Sequence, residues 1–177
     1  MIELKKPLAL IGLRGSGKST LALELSKVLK VPTIEMDVEL SNEKGMSIPE
    51  WVKNEGWESF RDAEEQFLKK VSKRKKPCIL SPGGGVITRE KSIKCMQTAF
   101  ISIYLHWSPS VLVERIANDS NRPRLGAAKT AAEEVKLMYK ERDEIYRSCG
   151  HTLKLKKGTT IDRTISKVLD IIYRLQL

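Results

Sequence analysis

The chain has little cysteine: Cys78, Cys95 and Cys149 are the only three in 177 residues. They are odd in number and far apart, which excludes a disulfide framework and a Cys-x-x-Cys metal pattern. Free cysteines of this kind read as buried or inert thiols in a reducing compartment. Long apolar runs are missing as well. With no stretch of 18 or more apolar residues, no membrane span is expected. The opening MIELKKPLALIGL shows neither a signal-peptide cleavage pattern nor a Ser/Arg-rich transit composition, so the expected location is the cytoplasm. Negative charge lags behind positive, 22 Asp and Glu against 32 Lys and Arg, for a net +10. Much of the surplus sits in KKVSKRKK (69–76) and LKLKKG (153–158). Aromatics are 6% of residues and none interleaves with those lysines, which argues against a platform for stacking single-stranded nucleic acid. The basic runs read as solvated surface, and neither nucleic acid nor membrane is an expected partner. Repeats and low-complexity segments are absent.

What is present is an ordinary balance for one globular domain, 41% hydrophobic and 31% charged. Short apolar runs at 7–13, 31–37, 77–81, 99–105 and 151–155 read as strands. Between them, Leu21, Leu25, Val28 and Leu29 mark one helix face, and Trp57, Phe60, Phe67, Leu68 and Val71 a longer one. Asn42 and Gly45 read as turn residues in a polar stretch after the second strand. Ser108-Pro109 opens a helix, Thr130 with Glu133 forms a capping box for another, and Thr159 with Asp162 introduces a last helix bearing Ile161, Ile165, Val168, Leu169 and Ile172. Strands alternating with helices predict an α/β fold, a parallel sheet covered on both faces, with ligands beyond the carboxyl ends of its strands.

Residues 12–19, GLRGSGKS, fit the phosphate-loop pattern G-x-x-x-x-G-K-[ST] between a strand and a helix. Backbone N–H groups and the helix's positive end would cradle phosphate oxygens, Lys18 would add a point charge, and the Ser19 hydroxyl would ligate Mg²⁺. The third strand ends in Ser81-Pro82 with no carboxylate. The acidic groups stand at the end of the second strand instead. There Glu35 and Asp37, two apart on a strand, are expected on one side. One would orient metal-bound water and the other face a substrate hydroxyl, unless both are simply a solvated strand end.

Gly83-Gly84-Gly85 reads either as a loop or as bare backbone on which a small ligand lies. Arg61 and Glu64, three apart, share a helix face. Arg142 falls inside the apolar stripe Val135, Met138, Ile145, Tyr146 and therefore wants an anionic partner, from the protein or from a ligand. Arginine forks fit a carboxylate, which suggests a small hydroxy acid as phosphoryl acceptor. NDSNRPRLG (118–126) reads as a lid delivering a guanidinium, or as a basic loop.

In order and spacing these residues resemble the shikimate kinases almost end to end. GLRGSGKS is similar to that family's phosphate loop, and Glu35-Met36-Asp37 stands at its Asp-x-Asp position. Ser47-Ile48 with Phe60-Arg61 and Glu64 resembles its shikimate-binding segment. Gly83-Gly84-Gly85, Arg122-Pro123 and Arg142 resemble its triple glycine, lid arginine and late substrate-binding arginine. The resemblance implies a three-layer P-loop kinase fold with a five-stranded parallel sheet of order 2-3-1-4-5. It also implies a substrate flap at about 35–61 and a lid at about 116–126. It implies MgATP-dependent phosphorylation of the shikimate 3-hydroxyl on the route to chorismate and the aromatic amino acids, by a monomer. ATP would then meet Gly12, Arg14, Gly15, Ser16, Gly17, Lys18, Ser19 and Thr20, with Arg115 against the adenine and Arg122 on the phosphates. Ser19 and Glu35 would serve the metal. Asp37 would contact the reacting hydroxyl as candidate base, with Lys18 and Arg122 stabilising phosphoryl charge. Arg61, Glu64, Gly83, Gly84, Gly85 and Arg142 would hold the acid. Two positions depart from the pattern: Glu35 replaces the first Asp, and Arg124 stands where leucine is usual. The rival readings are a kinase of another hydroxy acid such as gluconate, a nucleoside monophosphate kinase, and a non-catalytic nucleotide- or nucleic-acid-binding module.

Overall fold

Leu8–Ile11 form β1, and none of these four residues has accessible surface. A strand so apolar on both faces belongs at the centre of a covered parallel sheet. The computed structural model, which describes residues 3–117 and 128–176, places it there. β2 (Thr33–Glu35), β3 (Ile79–Ser81), β4 (Ile101–His106) and β5 (His151–Lys154) complete a five-stranded sheet of order β2-β3-β1-β4-β5. All its pairings are parallel, and Leu8 sits in register with Ile79 on one side and Ile101 on the other. Parallel neighbours need crossover connections, supplied here by helices. The chain leaves β1 toward the β2 edge and leaves β3 toward the β4 edge, so a crevice opens between the carboxyl ends of β1 and β3. This is the P-loop kinase arrangement that the resemblance implied.

The helices are α1 (Lys18–Leu29), α2 (Met36–Lys44), α3 (Ile48–Ser72), α4 (Glu90–Ala99), α5 (Pro109–Ala117), α6 (Ala131–Cys149) and α7 (Ile161–Leu175). Among the described residues none is long and apolar enough to cross a membrane. Several expectations need correction. The second strand stops at Glu35, not at residue 37, because Met36 turns into the core and begins α2 with Leu40 buried one turn later. Asn42 is therefore helical, while Gly45 does end the helix, in the left-handed region, with its N–H on the Ser41 and Asn42 carbonyls. The longer helix begins at Ile48 behind a Ser47–Glu50 capping box and kinks at Gly56. Trp57 lies exposed beside the kink. α4 was not anticipated. Val28 and Ile161 are exposed, Ala22 being the buried partner of Leu21 and Leu25. The last helix is capped by Thr160 rather than Thr159.

β4 and α6 are joined by a polar network. Tyr104 Oη donates to Asp143 Oδ1 at 2.8 Å, and Arg147 Nε donates to Asp143 Oδ2 at 2.8 Å. Arg147 Nη2 lies 2.9 Å from His106 Nε2. A guanidinium only donates, so His106 accepts there and is neutral. Burial, Arg147 and Lys154 push the His106 imidazolium below its ordinary 6.5, against the pull of Asp143. The unfolded chain then takes up this proton at higher pH than the folded one, so stability falls as pH drops below about 6.5. Melting curves between pH 7.5 and 5 should show a steeper loss for the wild type than for His106→Gln. Parallel curves would refute this role.

Candidate active site

The loop after β1 is shaped by glycines whose side-chain positions are filled or strained. Gly15 has φ 77°, and a Cβ there would lie 2.8 Å from Ile116 Cγ2. Gly17, at φ 87°, caps α1 in the left-handed region, with no side chain capping the helix. The positive end of α1 therefore faces the loop's hollow with its first N–H groups unclaimed by any cap. Lys18 Nζ folds back onto the carbonyls of Gly12 (2.9 Å) and Leu13 (3.2 Å). Arg14 pairs with the buried Glu134 at 3.0 Å. Arg115 reaches the Gly15 carbonyl at 3.2 Å, and Thr20 lies exposed on α1. Ser16 is 2% exposed, and its Oγ has no hydrogen-bond partner among the described residues. An orphaned buried hydroxyl in such a cradle suits an anionic ligand oxygen.

Beside the loop, Ser19 Oγ donates to Glu35 Oε2 at 3.0 Å and lies 3.5 Å from Ser81 Oγ. The beginning of α1 and the ends of β2 and β3 thus bring three oxygen-bearing side chains together. Among the described residues no group of three His, Cys, Asp or Glu could hold a metal by itself. A lone carboxylate with a hydroxyl fits magnesium, which keeps several waters and takes further oxygens from nucleotide phosphates.

The triple glycine follows β3, the strand next to β1. Its members do not occupy the left-handed region, so backbone freedom is not why they are glycines. Room is. A Cβ on Gly83 would lie 2.6 Å from Asp37 Oδ1, and one on Gly85 would collide with the Arg61 guanidinium. Gly84 is different: a Cβ there would meet only Tyr146 Oη at 3.5 Å and Arg142 Nη1 at 3.6 Å, ordinary contacts. Arg142 Nη1 (3.1 Å) and Tyr146 Oη (2.7 Å) both donate to the Gly84 carbonyl. Arg61 also bonds Glu64, whose side chain is buried, and lies 4.9 Å over the Trp57 ring. Burial raises the Glu64 carboxyl above its usual range, although Arg61 pulls it down.

Asp37, Arg61, Glu64 and Arg142 therefore converge on Gly83–Gly85. Asp37 arrives by a route other than the one expected. It sits in the first turn of α2, so strand alternation with Glu35 does not place it. Residues 118–127, which include Arg122, Arg124 and most of the expected lid, lie outside the described residues. Sequence reasoning missed Ser81, Tyr146 and also Trp107, whose indole N–H donates to the Ser16 carbonyl of the phosphate loop at 3.0 Å. Tyr146 and Trp107 are apolar-looking residues whose polar tips carry the contacts, and composition does not distinguish such tips from plain core.

The family model "Shikimate kinase" matches residues 14–173. A shikimate kinase 2 of Enterobacter sp. (strain 638) is 36% identical over 167 residues, 93% of this chain and 94% of that protein. A shikimate kinase of Enterococcus faecalis is 32% identical over 80% of this chain and 83% of its own length. Among solved structures, a shikimate kinase from Acinetobacter baumannii in complex with shikimate superposes with a TM-score of 0.84 at 27% identity. It covers 97% of this chain and 95% of that one. A gluconokinase from Sinorhizobium meliloti 1021 is similar at TM-score 0.61 and 16% identity, over 98% of this chain and 95% of its own, a likeness of fold alone.

The two glycine environments predict opposite outcomes. Gly85→Ala forces the guanidinium aside and should cost about 1–3 kcal/mol in urea unfolding. Gly84→Ala should leave stability within about 1 kcal/mol of wild type. Equal losses would show that packing in the protein does not separate them.

Proposed function

The chain belongs to the shikimate kinase family, and on that premise we propose how its own residues divide the phosphorylation of shikimate by ATP. The enzyme transfers the γ-phosphoryl group of ATP to the 3-hydroxyl of shikimate, giving shikimate 3-phosphate and ADP on the route to chorismate. The observation that carries the division of roles is the triple glycine, packed by one carboxylate and two guanidinium groups next to the phosphate loop.

Gly12, Gly15, Ser16, Gly17, Lys18, Ser19 and Thr20 receive the phosphates. Arg14, tied to Glu134, shapes the loop, and Arg115 receives the base. Arg61 and Arg142 each present a planar fork to the shikimate carboxylate. Glu64 keeps Arg61 in place, and the naked backbone of Gly83–Gly85 lets the ring lie close. Asp37, beside Gly83, accepts the proton of the attacking hydroxyl. Lys18 and Arg122 offset the charge that builds on the transferred group, where positioning and electrostatics do most of the catalysis. Ser19 and Glu35 would hold Mg²⁺, which when bound would supply positive charge against the phosphates. Residues 35–61 act as the shikimate flap and 116–126 as the lid. Both sites are assembled from side chains of one chain, which supports a monomer, and the unpaired cysteines support a cytoplasmic setting.

A coupled ADP-release assay should show saturation with shikimate and none with gluconate or AMP. The reverse would favour the other hydroxy-acid kinase. Asp37→Asn should lower kcat by about 10²–10⁴-fold while ATP binding survives. Gly84→Ala, which the protein itself tolerates, should still raise the KM for shikimate, because the added methyl occupies the ring's place. An unchanged KM would remove the ring from that position.

A further inference from the structure

Trp107 lies between β4 and α5, is 4% exposed, and has no part in the roles above. Its indole N–H donates to the Ser16 carbonyl at 3.0 Å. Its ring lies under Arg115, with the guanidinium carbon 3.9 Å from the ring centroid. Arg115 in turn donates to the Gly15 carbonyl at 3.2 Å. Two consecutive carbonyls of the phosphate loop are thus held by two side chains stacked on each other.

A buried indole N–H ordinarily finds an acceptor, so the bond to Ser16 by itself is core chemistry. The acceptor it takes is not ordinary. The described peptides are all trans, and in a trans peptide the carbonyl and the next N–H point in opposite directions. Drawing the Ser16 carbonyl toward Trp107 turns the Gly17 N–H away from it. Gly17 needs such a restraint: at its side-chain position the nearest atom is Arg115 Nη1, 3.9 Å away, and no side chain caps the helix there. Arg115 is exposed on α5, so the indole is also the surface that fixes the plane of its guanidinium.

We propose that Trp107 is a positioning residue that couples the two halves of the ATP site: its N–H fixes the phosphate loop, and its ring face fixes the arginine that receives the base. This rests on the assignment of residues 12–19 to the phosphates and of Arg115 to the base. Calorimetry with two probes, ADP and inorganic tripolyphosphate, separates the halves. Trp107→Phe keeps a ring and loses the N–H, and should weaken both probes by the same factor, about three- to tenfold. Trp107→Leu also loses the ring, and should weaken ADP by about a further two- to fivefold with no further loss for tripolyphosphate. The KM for shikimate should stay at the wild-type value in Trp107→Phe. The proposal is overturned if Trp107→Phe binds tripolyphosphate as the wild type does, or if Trp107→Leu loses no more ADP affinity than Trp107→Phe. Should Trp107→Leu not fold, the Trp107→Phe comparison decides alone. Lys18→Ala is the control for the premise. If it binds tripolyphosphate as tightly as wild type, the phosphate-loop assignment falls, an outcome distinct from failure of the tether.

Discussion

The closeness of two strand ends governs the rest of the molecule. β1 and β3 are hydrogen-bonded neighbours, so their carboxyl ends are separated by little more than the spacing of a sheet, about 4.8 Å. One end feeds a loop built for phosphate and the other a run of three glycines. Ser19 and Ser81, 3.5 Å apart, mark where the two meet. A phosphoryl donor and its acceptor must come nearly into contact before reaction, and most of the catalytic gain is positional. Here the positioning is done by the sheet before any ligand arrives. The opposite crossover directions from β1 and β3 keep helices from covering the crevice, so the same topology that brings the loops together leaves them open.

The chemistry of the site needs arginines close to bare backbone, and buried guanidinium groups need compensation. Arg14 has Glu134 and Arg61 has Glu64, both carboxylates buried by the fold. Breaking either pair would leave an uncompensated buried charge, which is far costlier than the pair is stabilising. These glutamates therefore fix the direction in which each arginine points. Arg142 differs, since it donates to a carbonyl, that of Gly84. A carbonyl satisfies one donor and leaves the charge to be met by something else. In the proposed division of roles the carboxylate of shikimate is that remainder, while Tyr146, one helical turn along α6, keeps hold of the same carbonyl.

The parallel sheet, the phosphate loop and the place of Arg142 are legible because each leaves a pattern in the chain: apolar runs, spaced glycines, a charge inside an apolar stripe; the order of the strands follows only from the family resemblance. The triple glycine was visible, but its reason was not. Gly83 and Gly85 are small because Asp37 and Arg61 fill the space a Cβ would take, and that is a fact about residues some 20 to 50 positions away. Asp37 does lie beside Gly83, but strand periodicity does not place it there, because period two ends where Met36 enters the core and begins α2. α2 and α4 are short and mostly polar, with only two buried residues each, so their periodicity is too thin to read. Trp107 and Tyr146 hide their function in the part of the side chain that hydropathy ignores.

Glu35 shows how a local departure from a family pattern can be absorbed. Its side chain starts from the last residue of β2, where the backbone is still extended, and reaches Ser19 Oγ at 3.0 Å. An aspartate at the same Cα would hold its carboxylate about 1.5 Å further back, one carbon–carbon bond shorter. A direct bond to Ser19 would then lengthen past hydrogen-bonding range and pass through a water. The longer residue thus moves a negative charge from the water layer to the hydroxyl that would ligate the metal. The backbone of β2 need not shift for this, because Thr33–Glu35 remain in register with Ile79–Ser81. The extra methylene brings the Glu35 carboxylate into direct contact with the Ser19 hydroxyl, the oxygen proposed to serve the metal, while Asp37, in the first turn of α2, stands apart from that contact beside Gly83.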